Sequence, residues 1–406
     1  MHLKPIKGIT NLGQWVSWDP GKQTMEVHQG GTWLIENGTF QEHVAKHYTA
    51  DGFLDAEQKL LTPGLIDSHT HPAFATTRED EFVLRAQGKS YQEIAAAGGG
   101  IRQSVRALRE ISQSDLSNLI KDRLRLMLEH GTTTLECKSG YGLETEAEIK
   151  SLRAIKAAAA QLPIRTFSTF LGAHEIPDEY REDRTAYVDL LVKEMIPRVV
   201  QEDLADFCDV FCEAGVFTPE ETELILSAAK EQGMGLRFHA DEFVSIGGAE
   251  LAVKLNALSA DHLMAISDQG IKDMAGSHTV ATLLPGTTFF LGSNTWAPAR
   301  KLIDAGVTVA LASDFNPGSN MSFSLPFVMT LAVIYLKMTP LEALQGVTYS
   351  SAKSLGAEAH LGAIYPGFSA DAVVWDLENH RQLPYFYGIN RAKQIIVNGS
   401  LISPLA

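Results

Sequence analysis

"PGLIDSHTHPAF", residues 63–74, is an apolar run that closes on an acidic residue and then on two histidines one position apart. In a strand, side chains two apart leave the same face, so His69 and His71 can reach a single point in space. That is ligand geometry for a metal ion, although an isolated H-x-H is at least as often a loop that holds two histidines. The other strand ends decide between the two.

Outward from this stretch, apolar runs of strand length recur: "TTTLECKSG", "RTFSTFLGAH", "FCDVFCEAG", "GLRFHADEF", "LSADHL", "TVATLLPGT" and "VTVALASDF". Helical patterns lie between them. In "DLSNLIKDRLRLMLEHG", Leu116, Leu119, Ile120, Leu124, Met127 and Leu128 keep helical spacing, and Gly131 stands where a C-terminal cap belongs. With the opening stretch this makes eight β-α units, which predict an α/β fold of the TIM (β/α)8 barrel type. A doubly wound open sheet is the alternative use of the same alternation.

The chain ends have a different character. Residues 1–60 hold short β-like pieces, with a tight hairpin expected at Asn37-Gly38 in "TWLIENGTF". After residue 360, "LGAIYPGFSADAVVWDL" and "KQIIVNGSLI" return to that style. The expectation is a small composite β-sandwich domain built from residues 1–60 and 361–406, with the barrel, residues 61–360, inserted between them.

A formal net charge of -15 over 406 residues argues against nucleic-acid or anionic-membrane partners, which reward clustered Lys and Arg. The N-terminus has no apolar core of signal-peptide length, and no stretch offers about 18 consecutive apolar residues, the length a membrane helix needs. The expectation is a cytoplasmic protein acting on a small molecule. Cys137, Cys208 and Cys212 are too few for a disulfide framework and read as reduced, buried thiols.

In a barrel the functional face lies at the C-terminal ends of the strands. His69 and His71 close the first run, His174 the third, His239 the fifth, His262 the sixth and Asp314 the eighth. Each alone is more often a hydrogen-bonded scaffold residue than a ligand. Together, His69, His71, His239 and Asp314 form a set that suits Zn²⁺ or Fe²⁺ with a position left for water. The chemistry of such a set is hydrolytic. Glu242, three residues past His239, could act as the base, Asp314 is the competing candidate, and His262 could steady an oxyanion or hold the water.

At this point "PGLIDSHTH", the single histidines closing runs five and six, and "SDFNPG" closing run eight resemble the amidohydrolase superfamily. "QGKSYQEIAAAGGGI", "GTTTLECKSGYGL", "TFLGAHEIP", "HADEF", "SADHL" and "SDFNPGS" resemble, more narrowly, its imidazolonepropionase family, over nearly the whole chain and in the right order. The resemblance implies a barrel with a composite β domain, a homodimer, and one Zn²⁺ or Fe²⁺/Fe³⁺ per subunit held by His69, His71, His239 and Asp314. It implies hydrolysis of the cyclic amide of 4-imidazolone-5-propanoate to N-formimidoyl-L-glutamate in histidine degradation, by a metal-activated water. Arg78, Tyr141, His174 and Glu242 match substrate contacts, Glu242 and His262 match residues that handle the water, and Asn316, Gly318 and Ser319 match a product-binding loop. Without the family, Arg78 reads more readily as a surface ion pair with Glu79 or Asp80.

Two features separate this chain from neighbouring patterns. Two-metal relatives carry a carboxylated lysine at the end of the fourth strand, where this chain has Glu213, so a single metal is expected. Lys138 closes the second run instead, where a structural or substrate-orienting role is expected. The family pattern also has glycines between the second histidine and the arginine, whereas here the run is Pro72, Ala73, Phe74, Ala75, Thr76 and Thr77. A nucleobase-type deaminase and a non-catalytic barrel relative are the competing readings.

Overall fold

The computed structural model describes residues 2–89, 93 and 99–403, so part of the "QGKSYQEIAAAGGGI" stretch lies outside the described residues. All eight runs form strands, and they pair in parallel and in sequence order: Leu65–Asp67, Thr132–Lys138, Arg165–Ala173, Phe207–Cys212, Gly235–Ala240, Ser259–His262, Val280–Leu283 and Val309–Leu311. The seam between the first and last strands is stitched at its C-terminal end. The Asp314 amide donates to the His69 carbonyl (3.0 Å) and the His71 amide to the Phe315 carbonyl (2.9 Å). The barrel therefore closes at the residues that the opening stretch and "SDFNPG" supply.

The helix read from "DLSNLIKDRLRLMLEHG" spans Gln113–Glu129. Ser112 caps it by accepting from the Asp115 amide, and Leu116, Ile120, Leu124, Met127 and Leu128 are buried on its inner face. Gly131 follows at φ 93°, a left-handed conformation that ends the helix cheaply only for glycine.

Strands from both chain ends share sheets outside the barrel. One seven-stranded sheet runs His2–Pro5, Ser400–Ser403, Ala392–Val397, Ala372–Trp375, Leu60–Pro63, Gln14–Asp19 and Thr24–Gln29, in that spatial order. A four-stranded sheet holds the expected hairpin, Thr32–Glu36 and Thr39–Val44, with Asn37 and Gly38 both at positive φ as the turn requires. Ile9, Trp33, Phe40, Leu61, Val374 and Ile396 form an apolar core of their own there, separate from the barrel core. Cys137, Cys208 and Cys212 are buried and free. Among the described residues, no helix is long and apolar enough to cross a membrane.

Candidate metal centre

Four side-chain atoms converge at the C-terminal mouth of the barrel. His69 Nε2 lies 3.2 Å from His71 Nε2, and His71 Nε2 lies 3.4 Å from His239 Nε2. Asp314 Oδ1 is 3.5 Å from His69 Nε2 and 3.3 Å from His71 Nε2. With bonds of about 2.0–2.1 Å, a tetrahedrally coordinated ion sets its ligand atoms about 3.3–3.4 Å apart, so these four spacings fit, and His262 forms a further donor group with His69 and His239. The protonation pattern fits as well. His69 Nδ1 donates to Asp261 Oδ2 (2.6 Å) and His239 Nδ1 to Asp209 Oδ1 (3.0 Å), which leaves both Nε2 lone pairs bare and facing one another. Burial, and then the neighbouring Lys138 and histidines, hold His69 well below the usual histidine range, so the ring stays neutral. Convergent lone pairs and a carboxylate repel unless a cation lies among them.

The backbone is strained where it presents this chemistry. Asp314 and His262 sit at φ 52° and 76°, in the left-handed region that side chains seldom adopt. His262 ends its strand, and Asp314 follows the end of its strand, Val309–Leu311, by three residues.

Beneath the ligands lies a closed ion network that strand-end reasoning missed. Lys138 Nζ bonds Glu136 Oε1 and Asp209 Oδ2, each at 2.7 Å, and all three side chains are fully buried. Arg237 Nη2 donates to Asp261 Oδ2 (3.2 Å) and to the Ser68 carbonyl (2.7 Å). Lys138 thus has a structural setting, reaching His239 through Asp209. The available signal was Asp209 itself, a charge inside the apolar run "FCDVFCE", which must be paired if buried.

Glu213 likewise points away from the four donor atoms. It accepts from the amides of Phe243 (2.8 Å) and Val244 (3.4 Å) and so pins the loop that carries Glu242. Asp241 braces the other end of that loop, accepting from the amides of Ile246, Gly248 and Ala249. Glu242 is buried, with Oε1 3.7 Å from His262 Nδ1. Burial, then Asp314 and Glu213, push its carboxyl well above the ordinary glutamate value, and burial pulls His262 down to about 3.

A pocket opens onto these groups, and Arg78, Tyr141, His174, Asn316 and Ser319 also line it. His174 stacks on His71 (ring centroids 5.3 Å apart) and gives its Nδ1 proton to the Gly140 carbonyl (2.9 Å), so Nε2 is left as an acceptor. Arg78 is no surface residue and its partner is neither Glu79 nor Asp80. It is 5% exposed, and Glu81 Oε2 takes Nε (3.0 Å) and Nη2 (2.6 Å), fixing the plane of the guanidinium. Gly318 is not a wall of the cavity. It packs behind Arg78, where a Cβ would strike the guanidinium. Asn316 Oδ1 accepts from the Gly318 and Ser319 amides (2.8 and 2.7 Å), so its side chain first shapes its own loop.

The chain belongs to the amidohydrolase family, whose profile matches residues 60–402. Narrower relatives agree. The imidazolonepropionase of Geobacillus thermodenitrificans is 47% identical over 387 residues, covering 93% of this chain and 91% of that one. The imidazolonepropionase of Bacillus velezensis is 41% identical over 405 residues, covering 97% and 96%. Within the amidohydrolases, the chain is therefore a member of the imidazolonepropionase family. Solved structures share the fold at greater distance. Guanine deaminase of E. coli has a TM-score of 0.75 at 16% identity, covering 98% of this chain and 99% of its own. Atrazine chlorohydrolase of Arthrobacter aurescens, complexed with zinc, has a TM-score of 0.71 at 18% identity, covering 97% and 94%.

Proposed function

We propose that the chain hydrolyses the ring amide of 4-imidazolone-5-propanoate to N-formimidoyl-L-glutamate, a step of histidine degradation. The observation that carries this reading is one cavity that holds both a metal-type donor set and a buried guanidinium. A nucleobase has no carboxylate for Arg78 to meet, which sets the deaminase reading aside.

In this reading His69, His71, His239 and Asp314 hold one zinc or iron ion. Such an ion, when bound, acidifies a water and polarises a carbonyl. Arg78 binds the propanoate carboxylate, and Tyr141 and His174 orient the ring, with the His174 acceptor facing a ring N–H. Glu242 takes the proton of the attacking water and returns it to the leaving ring nitrogen. His262, kept neutral by burial, steadies the oxygen that gains charge. Asn316, Gly318 and Ser319 hold the loop against which the opened product rests. Assembly as a homodimer in the cytoplasm belongs to the same reading, and light scattering on the purified protein tests the dimer.

Loss of imidazolone absorbance measures turnover directly. Chelation should abolish it and added zinc or iron should restore it; fully metallated, folded protein without turnover overturns the proposal. Arg78→Ala should raise KM about 10- to 100-fold, the worth of one charged hydrogen-bonded contact, at unchanged metal content. Loss of metal in parallel would mean that the arginine supports the loop instead.

A further inference from the structure

The segment between the second metal-type histidine and Arg78 is gripped from outside the cavity. Arg123, on the helix Gln113–Glu129, donates through Nη1 to the carbonyls of Pro72 (2.7 Å) and Phe74 (2.6 Å). Its guanidinium carbon also lies 3.4 Å from the centre of the Phe74 ring. Phe74 is fully buried and packs on Phe315, whose carbonyl accepts from the His71 amide. Beyond Phe74, Ala75, Thr76 and Thr77 become progressively exposed, and the chain dives again at Arg78.

No carboxylate within ion-pair distance neutralises Arg123 among the described residues. A partly buried guanidinium held on two carbonyls and a ring face is a costly arrangement when a surface lysine or a shorter loop would do. The residues it holds belong to a run, His71 to Arg78, that contains no glycine. Without glycine the run bends in few ways, and one clamp at Pro72 and Phe74 leaves only three residues to set where Arg78 enters the cavity.

We propose that Arg123 is a positioning residue for substrate selectivity: by clamping the carbonyls of Pro72 and Phe74 it sets the entry of Arg78, and through Arg78 the binding of the substrate's carboxylate. This rests on the assignment of Arg78 to that carboxylate. Arg123 touches neither substrate nor metal ligands, so its effect falls on KM. Both bonds leave the one nitrogen Nη1, which a lysine ammonium could imitate, but a lysine loses the flat contact with the Phe74 ring, so Arg123→Lys should show part of the defect of Arg123→Met.

The test is a cycle on metallated enzyme with Arg123→Met, Arg123→Lys, Arg78→Ala and the double variant Arg78→Ala/Arg123→Met. Expected is a KM increase of about tenfold for Arg123→Met and a smaller one for Arg123→Lys, with kcat within twofold and metal content unchanged. On Arg78→Ala, Arg123→Met should add nothing further. Hydrogen exchange of the amides from Ala73 to Arg78 should quicken in the Arg123 variants while that of the barrel strands does not. A KM defect that multiplies with that of Arg78→Ala, or a loss confined to kcat or metal content, overturns the inference. If Arg78→Ala itself leaves KM unchanged, the carboxylate assignment falls as well, and that result is distinct from a failure of Arg123 alone. A variant too unstable to assay is answered by the lysine variant, whose normal KM and exchange would also overturn it.

Discussion

Lys138→Met should cost the barrel about 3–5 kcal/mol and weaken metal binding about 10- to 100-fold, without touching a ligand. Burial works against the Lys138 charge, but Asp209 and Glu136 at 2.7 Å outweigh it and keep its pKa above the ordinary lysine value. Removing the cation leaves two carboxylates buried in a dry barrel, and one of them must take up a proton or draw in water. Either outcome disturbs Asp209, and Asp209 holds His239 by both its ring Nδ1 and its backbone amide (3.0 and 3.1 Å). Thr70 transmits a second effect, because its amide bonds Glu136 Oε2 (3.1 Å) between His69 and His71. Denaturant unfolding and chelator competition measure the two losses. Unchanged metal affinity alongside lowered stability would show that the network carries the barrel and leaves the ligands alone.

The same network marks where the sequence ceased to be legible. The eight strands could be read because each is a short apolar run with a helical pattern after it, and period and length are local properties. The convergence of His69, His71, His239 and Asp314 could be read because they stand at run ends, and a closed barrel brings run ends to one rim. Asp209, Arg237 and Asp261 sit inside runs, facing inward one layer below the mouth. Their pairing depends on strand register: Asp209 lies opposite Arg237, and His239 opposite Asp261. Register across a barrel is set by tertiary packing, which no local pattern encodes. Arg78 shows the same limit from the other side. Three acidic residues follow it within three positions, and only the folded loop selects Glu81 over Glu79 and Asp80.

Glu242→Gln should lower kcat about 10²- to 10⁴-fold while metal content and KM stay near those of the parent, because a positioned general base is worth about that much. The proposed choice of Glu242 over Asp314 as the base is supported by their surroundings. Asp314 is committed on both oxygens: Oδ1 faces His69 and His71, and Oδ2 accepts from Thr287 Oγ1 at 2.5 Å. Although burial opposes its charge, these contacts and His262 hold it well below the usual carboxylate range, which makes a strong ligand and a poor proton acceptor. Glu242 has the opposite setting, a buried carboxyl raised by desolvation and by Asp314 and Glu213, on a loop braced at Glu213 and Asp241. A carboxyl with a raised pKa can accept a proton in one step and release it in the next. Glutamine keeps the shape and removes the proton acceptor, so the comparison isolates that role. Asp314→Asn should instead lose metal together with activity, and a Glu242→Gln enzyme that keeps full kcat would move the base assignment to Asp314.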